Sequence, residues 1–447
     1  MPYNFGLEGY TGIVLYATMW VAFYLSIFKD PVYGLYYLAP LLPVQTVRYR
    51  LNEHPFGGSV LSIIMIGMAI GLWKRGESPI PKTPWTVFLV CYGILTFASL
   101  CQGSLYLNEP LSSLFNDPRF SEWRDYVTMI ALLFFTAATV KTKSSIQILI
   151  TIMCVSGFLL NKSFWGTVSG RDFSAYSDDL RDEGGMGYAG VNGLAAFEAQ
   201  FGCLMLVLAS FDKRKLYKLA YYALGVFSVL CLMYSLSRAG YAAVAVGLLF
   251  VGLFKNRVLL VAMVVFGLTW TAVVPNAVRE RVVMTSGGSG ELDHSSETRV
   301  TLWEDAMNVF AANPVVGSGF FTYAYMQRVS YYKDTHNIYL KVLVETGIVG
   351  FLLFLFLLGA LWFKGMQLWS RAVDPLYGAI GFGLASWIVC AAVANFFGDR
   401  WTYLQVNGFM WILAGLAARA IVLNNEAIDE LYAPQRELEA EQEMVTA

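Results

Sequence analysis

His336 is one of only three histidines in 447 residues, and it stands just ahead of a long apolar run, "IVGFLLFLFLLGALWF". A neutral imidazole can take a proton from a hydroxyl near pH 7, which few other side chains can do. The surrounding stretch, "DTHNIYLKVLVETG" (334–347), reads as a helix start with Thr335 as N-cap and His336 in the first turn. There the helix dipole disfavours imidazolium by about 0.3–1 kcal/mol, which favours the neutral base. The same helix end suits an anionic ligand.

Two arginines extend this chemistry. Arg238 lies in "SLSRAGYAAVAVG" (235–247), a hairpin with hardly any loop between two apolar blocks. Arg299 opens the segment "ETRVTLWEDAMNVFAANP" (297–314). A guanidinium stays charged and matches phosphate bidentately, so a pair on one membrane face can clamp a diphosphate. The plain alternatives are a snorkelling Arg238, a solvated Arg299 and a packing or capping role for His336.

The elements that must hold these residues follow from composition. The chain is 57% hydrophobic and 14% charged, against about 25% charged in soluble domains. Continuous apolar blocks, rather than alternating polarity, exclude a β-barrel. A net charge of −1 implies no pull on nucleic acid. Six cysteines lie in or beside apolar blocks without CxxC spacing and read as small core residues. The predicted fold is an all-α polytopic membrane protein with about twelve spans, the blocks being 9–28, 57–73, 84–102, 124–140, 145–161, 190–211, 216–236, 239–254, 257–274, 348–366, 376–396 and 403–422. Segment 31–46, with Pro31, Pro40 and Pro43, is expected to be irregular, or a thirteenth span if it crosses. The "MPYNFGLEGYTG" start has no Lys or Arg, so the first block is expected to be a retained span.

Lys and Arg in short loops set the orientation. "FDKRKLYK" (211–218), "WKRGESPIPK" (73–82), "VKTK" (140–143) and "KNR" (255–257) mark the cytoplasmic side. That puts 161–189, 237–239, 275–345 and 397–402 outside. The expected organisation is a membrane bundle (1–274), an extracytoplasmic helical loop carrying the site (275–345), three last spans (346–423) and an acidic, poorly ordered cytoplasmic tail (424–447). Within the loop, "TSGGSGELDHSS" reads as flexible, with His294 solvated. The next segment reads as a helix, with Leu302, Ala306, Val309 and Phe310 on one face and a stop at Asn313-Pro314.

Other polar features are weighed as structural. Asp178, Asp179, Asp182 and Glu183 read as a solvated loop rather than a metal site. Arg171 and Arg181 are possible extra phosphate or sugar contacts, and Tyr188 and Asn192 could line the site. His54 is left structural. Glu198 falls deep in a span, about 13 Å along its helix from residue 189. It is either protonated and hydrogen-bonded in the bundle or functional, and is the best hook for a rival function, a proton-coupled transporter or flippase. No internal repeat is visible, which argues against a transporter.

Taken in order, "SLSRAG", "ETRVTLWEDAMNVFAANPVVGSGF" and "THNIYLKVLVETGIVGF" resemble the signature region of the O-antigen ligase family, over roughly residues 235–351. That superfamily also holds O-antigen polymerases and bacterial protein O-oligosaccharyltransferases, and the block order does not separate the branches. The resemblance implies a metal-independent inverting glycosyltransferase in the bacterial cytoplasmic (inner) membrane, with its active site facing the periplasm. The donor would be a glycan on undecaprenyl diphosphate. The acceptor would be lipid A–core in a ligase, another lipid-linked repeat in a polymerase, or a protein hydroxyl. The family's histidine maps onto His336 and its arginines onto Arg238 and Arg299. No cofactor is implied, and the partners are the lipid-linked glycan, its acceptor and membrane lipid.

Overall fold

The computed structural model describes residues 11–182, 188, 190–284, 294–329 and 334–446. The first helices are α1 (Thr11–Phe28), α2 (Val32–Leu38), α3 (Gln45–Tyr49), α4 (Val60–Lys74), α5 (Thr86–Tyr106) and α6 (Pro118–Thr139). Then come α7 (Lys143–Val168), α8 (Val191–Phe211), α9 (Lys215–Tyr234), α10 (Arg238–Phe254), α11 (Arg257–Val273) and α12 (Asn276–Val283). The last are α13 (His294–Ala312), α14 (Thr322–Met326), α15 (Ile338–Arg371), α16 (Pro375–Phe396) and α17 (Leu404–Thr446). No strand occurs among the described residues.

The twelve apolar blocks fall on α1, α4 to α11 and α15 to α17. Among the described residues, nine helices are long and apolar enough to cross a membrane, or ten if α11 and α12 form one span bent by 111°. The chain is therefore a multi-pass membrane protein. α10 and α11 have only 17 residues each, and α6 carries Arg119, Glu122, Arg124 and Asp125 in its first turns. Segment 31–46 forms the seven-residue α2 and a single 3₁₀ turn, because Pro40 and Pro43 interrupt the ladder. Its Leu35, Leu38, Ala39 and Leu42 are fully buried.

α8 and α16 are the innermost helices, and their small residues let neighbours approach closely. Glu198 on α8 is enclosed there. The Asn161 amide, oriented to satisfy its neighbours, donates to both Glu198 carboxylate oxygens (2.7 and 3.2 Å) and accepts from the Ser228 hydroxyl (2.8 Å). This clamp ties α7, α8 and α9 together and gives Glu198 a structural role.

α15 breaks at Gly347 (φ +63°), where an added Cβ would lie 2.2 Å from the Val315 carbonyl oxygen. Only glycine relieves both the left-handed backbone and that contact. The break lets segment 314–319 hydrogen-bond α15: Ile348 N–H donates to Pro314 O (2.9 Å), and Ser318 and Gly319 N–H donate to Val344 and Glu345 O (3.0 and 2.7 Å). α15 is thus a short outer piece followed by a span, the arrangement tolerated where irregular backbone is buried in protein.

Two expectations are corrected. The tail does not lose structure after Asn424, because α17 continues to Thr446; "NNEAIDELYAPQRELEAEQEM" is rich in strong helix formers. His294 is the first residue of α13 rather than a loop residue, and its side chain, residues 285–293 and Glu183 lie outside the described residues. α13 itself buries Leu302, Ala306 and Val309, and its inner side packs on Tyr323 and Val344.

Candidate active site

The local geometry at His336 comes from four consecutive polar residues. Asn337, not Thr335, caps α15: its Oδ1 accepts from the N–H groups of Tyr339 (3.0 Å) and Leu340 (3.3 Å). Thr335 instead braces the turn, its hydroxyl donating to Asn337 O (2.6 Å). His336 therefore precedes the helix, in the left-handed region at φ +48°. The expected influence of the helix dipole gives way to a carboxylate. Asp334 Oδ1 accepts from the His336 N–H (2.7 Å) and lies 2.8 Å from His336 Nδ1.

Burial alone would push the Asp334 carboxyl up. The hydrogen bond and charge of His336, with the charge of Lys341, outweigh it and hold the group at about 2. Asp334 is thus ionised at every working pH. Its contact with the ring assigns the imidazole proton to Nδ1. The imidazole is partly open, its side chain 34% exposed.

α13 is pinned to this turn. Trp303 Nε1 donates to Thr335 O (3.0 Å). Arg299 sits one turn earlier on the same helix, about 6 Å along the axis, and is half-buried.

A second group of residues gathers through a small apolar cluster. Leu180, Leu236, Val274, Ala277 and Val278 pack together. Each end of that cluster leads to an arginine: Arg181 follows Leu180, Arg238 lies two residues after Leu236, and Arg281 three after Val278. Asn192 at the start of α8 ties Arg181 to the residue before Arg238, its Oδ1 accepting from Arg181 Nη2 (3.2 Å) and from the Ser237 hydroxyl (2.7 Å). Arg281 is buried with its guanidinium over the Tyr176 ring, 5.0 Å from the centroid. Burial, and the charges of Arg181 and Arg238, hold it below the usual arginine range.

Residues 223–355 of the chain match the family model described as O-Antigen ligase. Over that region, just under a third of its length, the chain is similar to the O-antigen ligase family. No curated protein matches it. The matched region opens in α9 and closes in α15, so it contains Arg238, Arg281, Arg299, Asp334 and His336. The match supports a glycosyltransferase-like role in O-antigen or polysaccharide assembly.

Two charged residues from outside the matched region complete its surroundings. Asp399 and Arg400 lie in the short connection between α16 and α17, which Ile338 N–H joins by donating to Gly398 O (3.1 Å). Asp399 pairs with Lys341 of α15, both nearly fully buried. Lys341 also stands over the Phe321 ring at 4.5 Å. Glu345, one turn along, accepts the N–H groups of Phe321 (2.9 Å) and Tyr323 (3.2 Å). These buried charges fasten the outer piece of α15 to the 317–323 turn and to the Arg400 connection.

Arg400 folds over Gly398, where an added Cβ would be 1.3 Å from its Nη1. Burial pushes its guanidinium below the usual range, offset by the charges of Tyr403, Asp334 and Asp399 and reinforced by Arg181. Arg400 thus lies within electrostatic reach of both the Asp334–His336 pair and the first arginine cluster. Among the described residues its guanidinium makes no hydrogen bond or ion pair, only its backbone N–H and C=O doing so.

Some sequence candidates sit elsewhere. Arg171 is engaged by its own loop, donating to Leu180 O (3.1 Å), Asp182 O (2.9 Å) and the Thr167 hydroxyl (2.8 Å), so it is no spare phosphate contact. Tyr188 is fully buried beside Phe197 and does not line an open site. Asn192 does belong to the arginine cluster. His54 stacks on Tyr16 at 4.8 Å. Asp178 takes the Tyr176 hydroxyl, and Asp182 faces Arg171 at 3.5 Å. Asp334, Arg281, Lys341, Asp399 and Arg400 were not singled out by sequence. The signals were there in "DTH", two residues from aspartate to histidine, and in "GDRW", a charged pair in an otherwise bare outer connection.

Proposed function

We propose that this protein transfers a glycan from undecaprenyl diphosphate to an acceptor hydroxyl on the extracytoplasmic side, the acceptor being lipid A–core. The observation that carries this reading is the Asp334–His336 pair (2.8 Å) lying within electrostatic reach of Arg400, whose guanidinium makes no hydrogen bond or ion pair among the described residues. Nε2 of His336 takes the proton of the acceptor hydroxyl. The oxygen attacks the anomeric carbon from the face opposite the diphosphate. The bond from that carbon to the diphosphate oxygen breaks, and the configuration inverts. Asp334 steadies the imidazolium as it forms. Arg238 and Arg299, now joined by Arg181, Arg281 and Arg400, offset the charge on the departing diphosphate. Removing one such preorganised donor typically costs about 10²–10³ in rate. General base action contributes about 10²–10⁴. No metal is required when several guanidiniums supply this charge.

Sidedness is supported by helix direction. α8 begins beside Asn192 and ends at Phe211, next to the basic "DKRK" segment. The arginine cluster and that segment therefore lie at opposite ends of one span, as the distribution of positive charge requires. Against the transporter reading, both Glu198 carboxylate oxygens accept from the Asn161 amide, which supports a structural role for this residue.

The test is incubation of purified protein with lipid-linked donor, with and without lipid A–core. Product only when lipid A–core is present supports ligation. Chain growth on donor alone replaces ligation with polymerisation. No glycan transfer under either condition, with donor translocation instead, overturns the reading.

A further inference from the structure

A cavity rimmed by charged side chains lies at the other end of the bundle. It measures about 310 Å³ and is formed where α7, α8, α9 and α16 meet, within the range of small-molecule pockets. Lys143, Lys213 and Arg214 line it, over an apolar floor of Leu208, Phe211 and Leu376. Two carboxylates also line it, and both are already engaged. Asp212 accepts the backbone N–H (2.8 Å) and Nη2 (2.7 Å) of Arg214. Asp374 caps α16 through the Leu376 N–H (2.9 Å) and pairs with Lys143. They hold two of the cations at the rim and leave a surplus positive charge, that of Lys213. Among the described residues the Lys213 ammonium makes no ion pair.

α8 separates this cavity from the ligase site by its full 21 residues, about 30 Å. The cavity therefore sits at the opposite membrane surface and cannot share the ligase site's ligand. Its surroundings point to a lipid rather than a free ion. Along α7 from Lys143 and Gln147 toward the membrane centre, Ile148, Val155 and Phe158 are exposed at 44, 52 and 48%, an apolar stripe that acyl chains would cover. Tyr221 of α9 forms part of the cavity wall, and its ring suits the headgroup level.

We infer that this cavity binds the phosphate of an anionic phospholipid, with Lys213 and Arg214 as the principal contacts and Lys143 at the rim. Cationic side chains between membrane helices on the positively charged face supply about 1 kcal/mol each toward such headgroups. Loss of two cations is thus expected to weaken binding about thirtyfold.

The test uses the full-length protein in nanodiscs of phosphatidylcholine alone, of phosphatidylcholine with phosphatidylglycerol, and of phosphatidylcholine with added inorganic phosphate. Melting temperature and retained lipid by native mass spectrometry are read in each. The wild-type protein is expected to retain phosphatidylglycerol and to melt higher with it. K213Q/R214Q should lose both effects, while K215Q/K218Q, which removes equal charge from the same segment outside the cavity, should keep them. Equal loss in both double variants would overturn the site in favour of diffuse surface charge. A shift with inorganic phosphate equal to that with phosphatidylglycerol would overturn the lipid assignment. Melting in phosphatidylcholine alone checks that K213Q/R214Q folds. If K213Q/R214Q misfolds, R214Q and K213Q singly must each weaken lipid retention, and unchanged retention in both would refute the proposal.

Discussion

Replacing Asp334 by Asn tests the proton-transfer pair at its least expected member. The substitution preserves shape but removes the charge that faces His336 Nδ1 at 2.8 Å. The carboxyl is held at about 2 against an ordinary value of 3.8, which corresponds to about 2 kcal/mol of net interaction favouring the anion. In D334N the imidazolium that forms during transfer lacks this stabilisation, so kcat should fall by up to about 30-fold. Loss of the correct tautomer lowers it further. The assay is glycan transfer from lipid-linked donor to lipid A–core at saturating donor, with donor KM measured in parallel. KM should stay near that of the wild type, because the Asp334 carboxylate is engaged by His336. D334N added to H336A should cost little more than H336A alone, since the two residues act as a unit. A kcat within twofold of wild type, or full additivity in the double variant, would refute the reasoning. The same carboxylate has a stability signature. Its folded value is depressed, so its contribution is present above about pH 4 and is lost as pH falls toward 2. D334N should lack that component in an acid melting series.

Arg400→Ala should lower transfer about 10²-fold or more with only a small fall in melting temperature, since among the described residues its guanidinium makes no hydrogen bond or ion pair; a large melting shift would reassign it to structure. Lys341→Ala strands Asp399 in a buried site and should cost about 3–5 kcal/mol, read as lost thermal stability that K341M/D399L partly recovers. Glu198→Gln should keep transfer within a few fold of wild type, because an amide can still bond Asn161 and Ser228; abolished function with intact folding would revive the transporter reading.

Much of the fold was legible because a membrane span is a long, one-dimensional signal. All twelve apolar blocks coincide with helices, and the α13 face of Leu302, Ala306 and Val309 is the buried one. Periodicity could not reveal the break at Gly347, because its cause is the distant Val315 carbonyl. The local error at His336 has a clear origin. Thr and Asn two residues apart are both good caps, and only the left-handed turn at His336 decides for Asn337. The arginines missed by sequence, Arg281 and Arg400, become partners of the site through contacts between elements far apart in the chain. Arg281 arrives through the packing of α12 on Leu180 and Leu236. Arg400 arrives through the hydrogen bond from Ile338 to Gly398. The tail's helix was not expected from its terminal position, although its Glu, Leu, Ala and Gln content favours helix.

The proposed chemistry stands on His336 acting as the base beside the arginines. The most direct measurement is single-turnover glycan transfer to lipid A–core by purified H336A protein, with donor binding measured on the same sample. The account predicts transfer reduced by about 10²–10⁴ with donor affinity unchanged. Transfer at the wild-type rate, or a loss accounted for entirely by weaker donor binding, would contradict it.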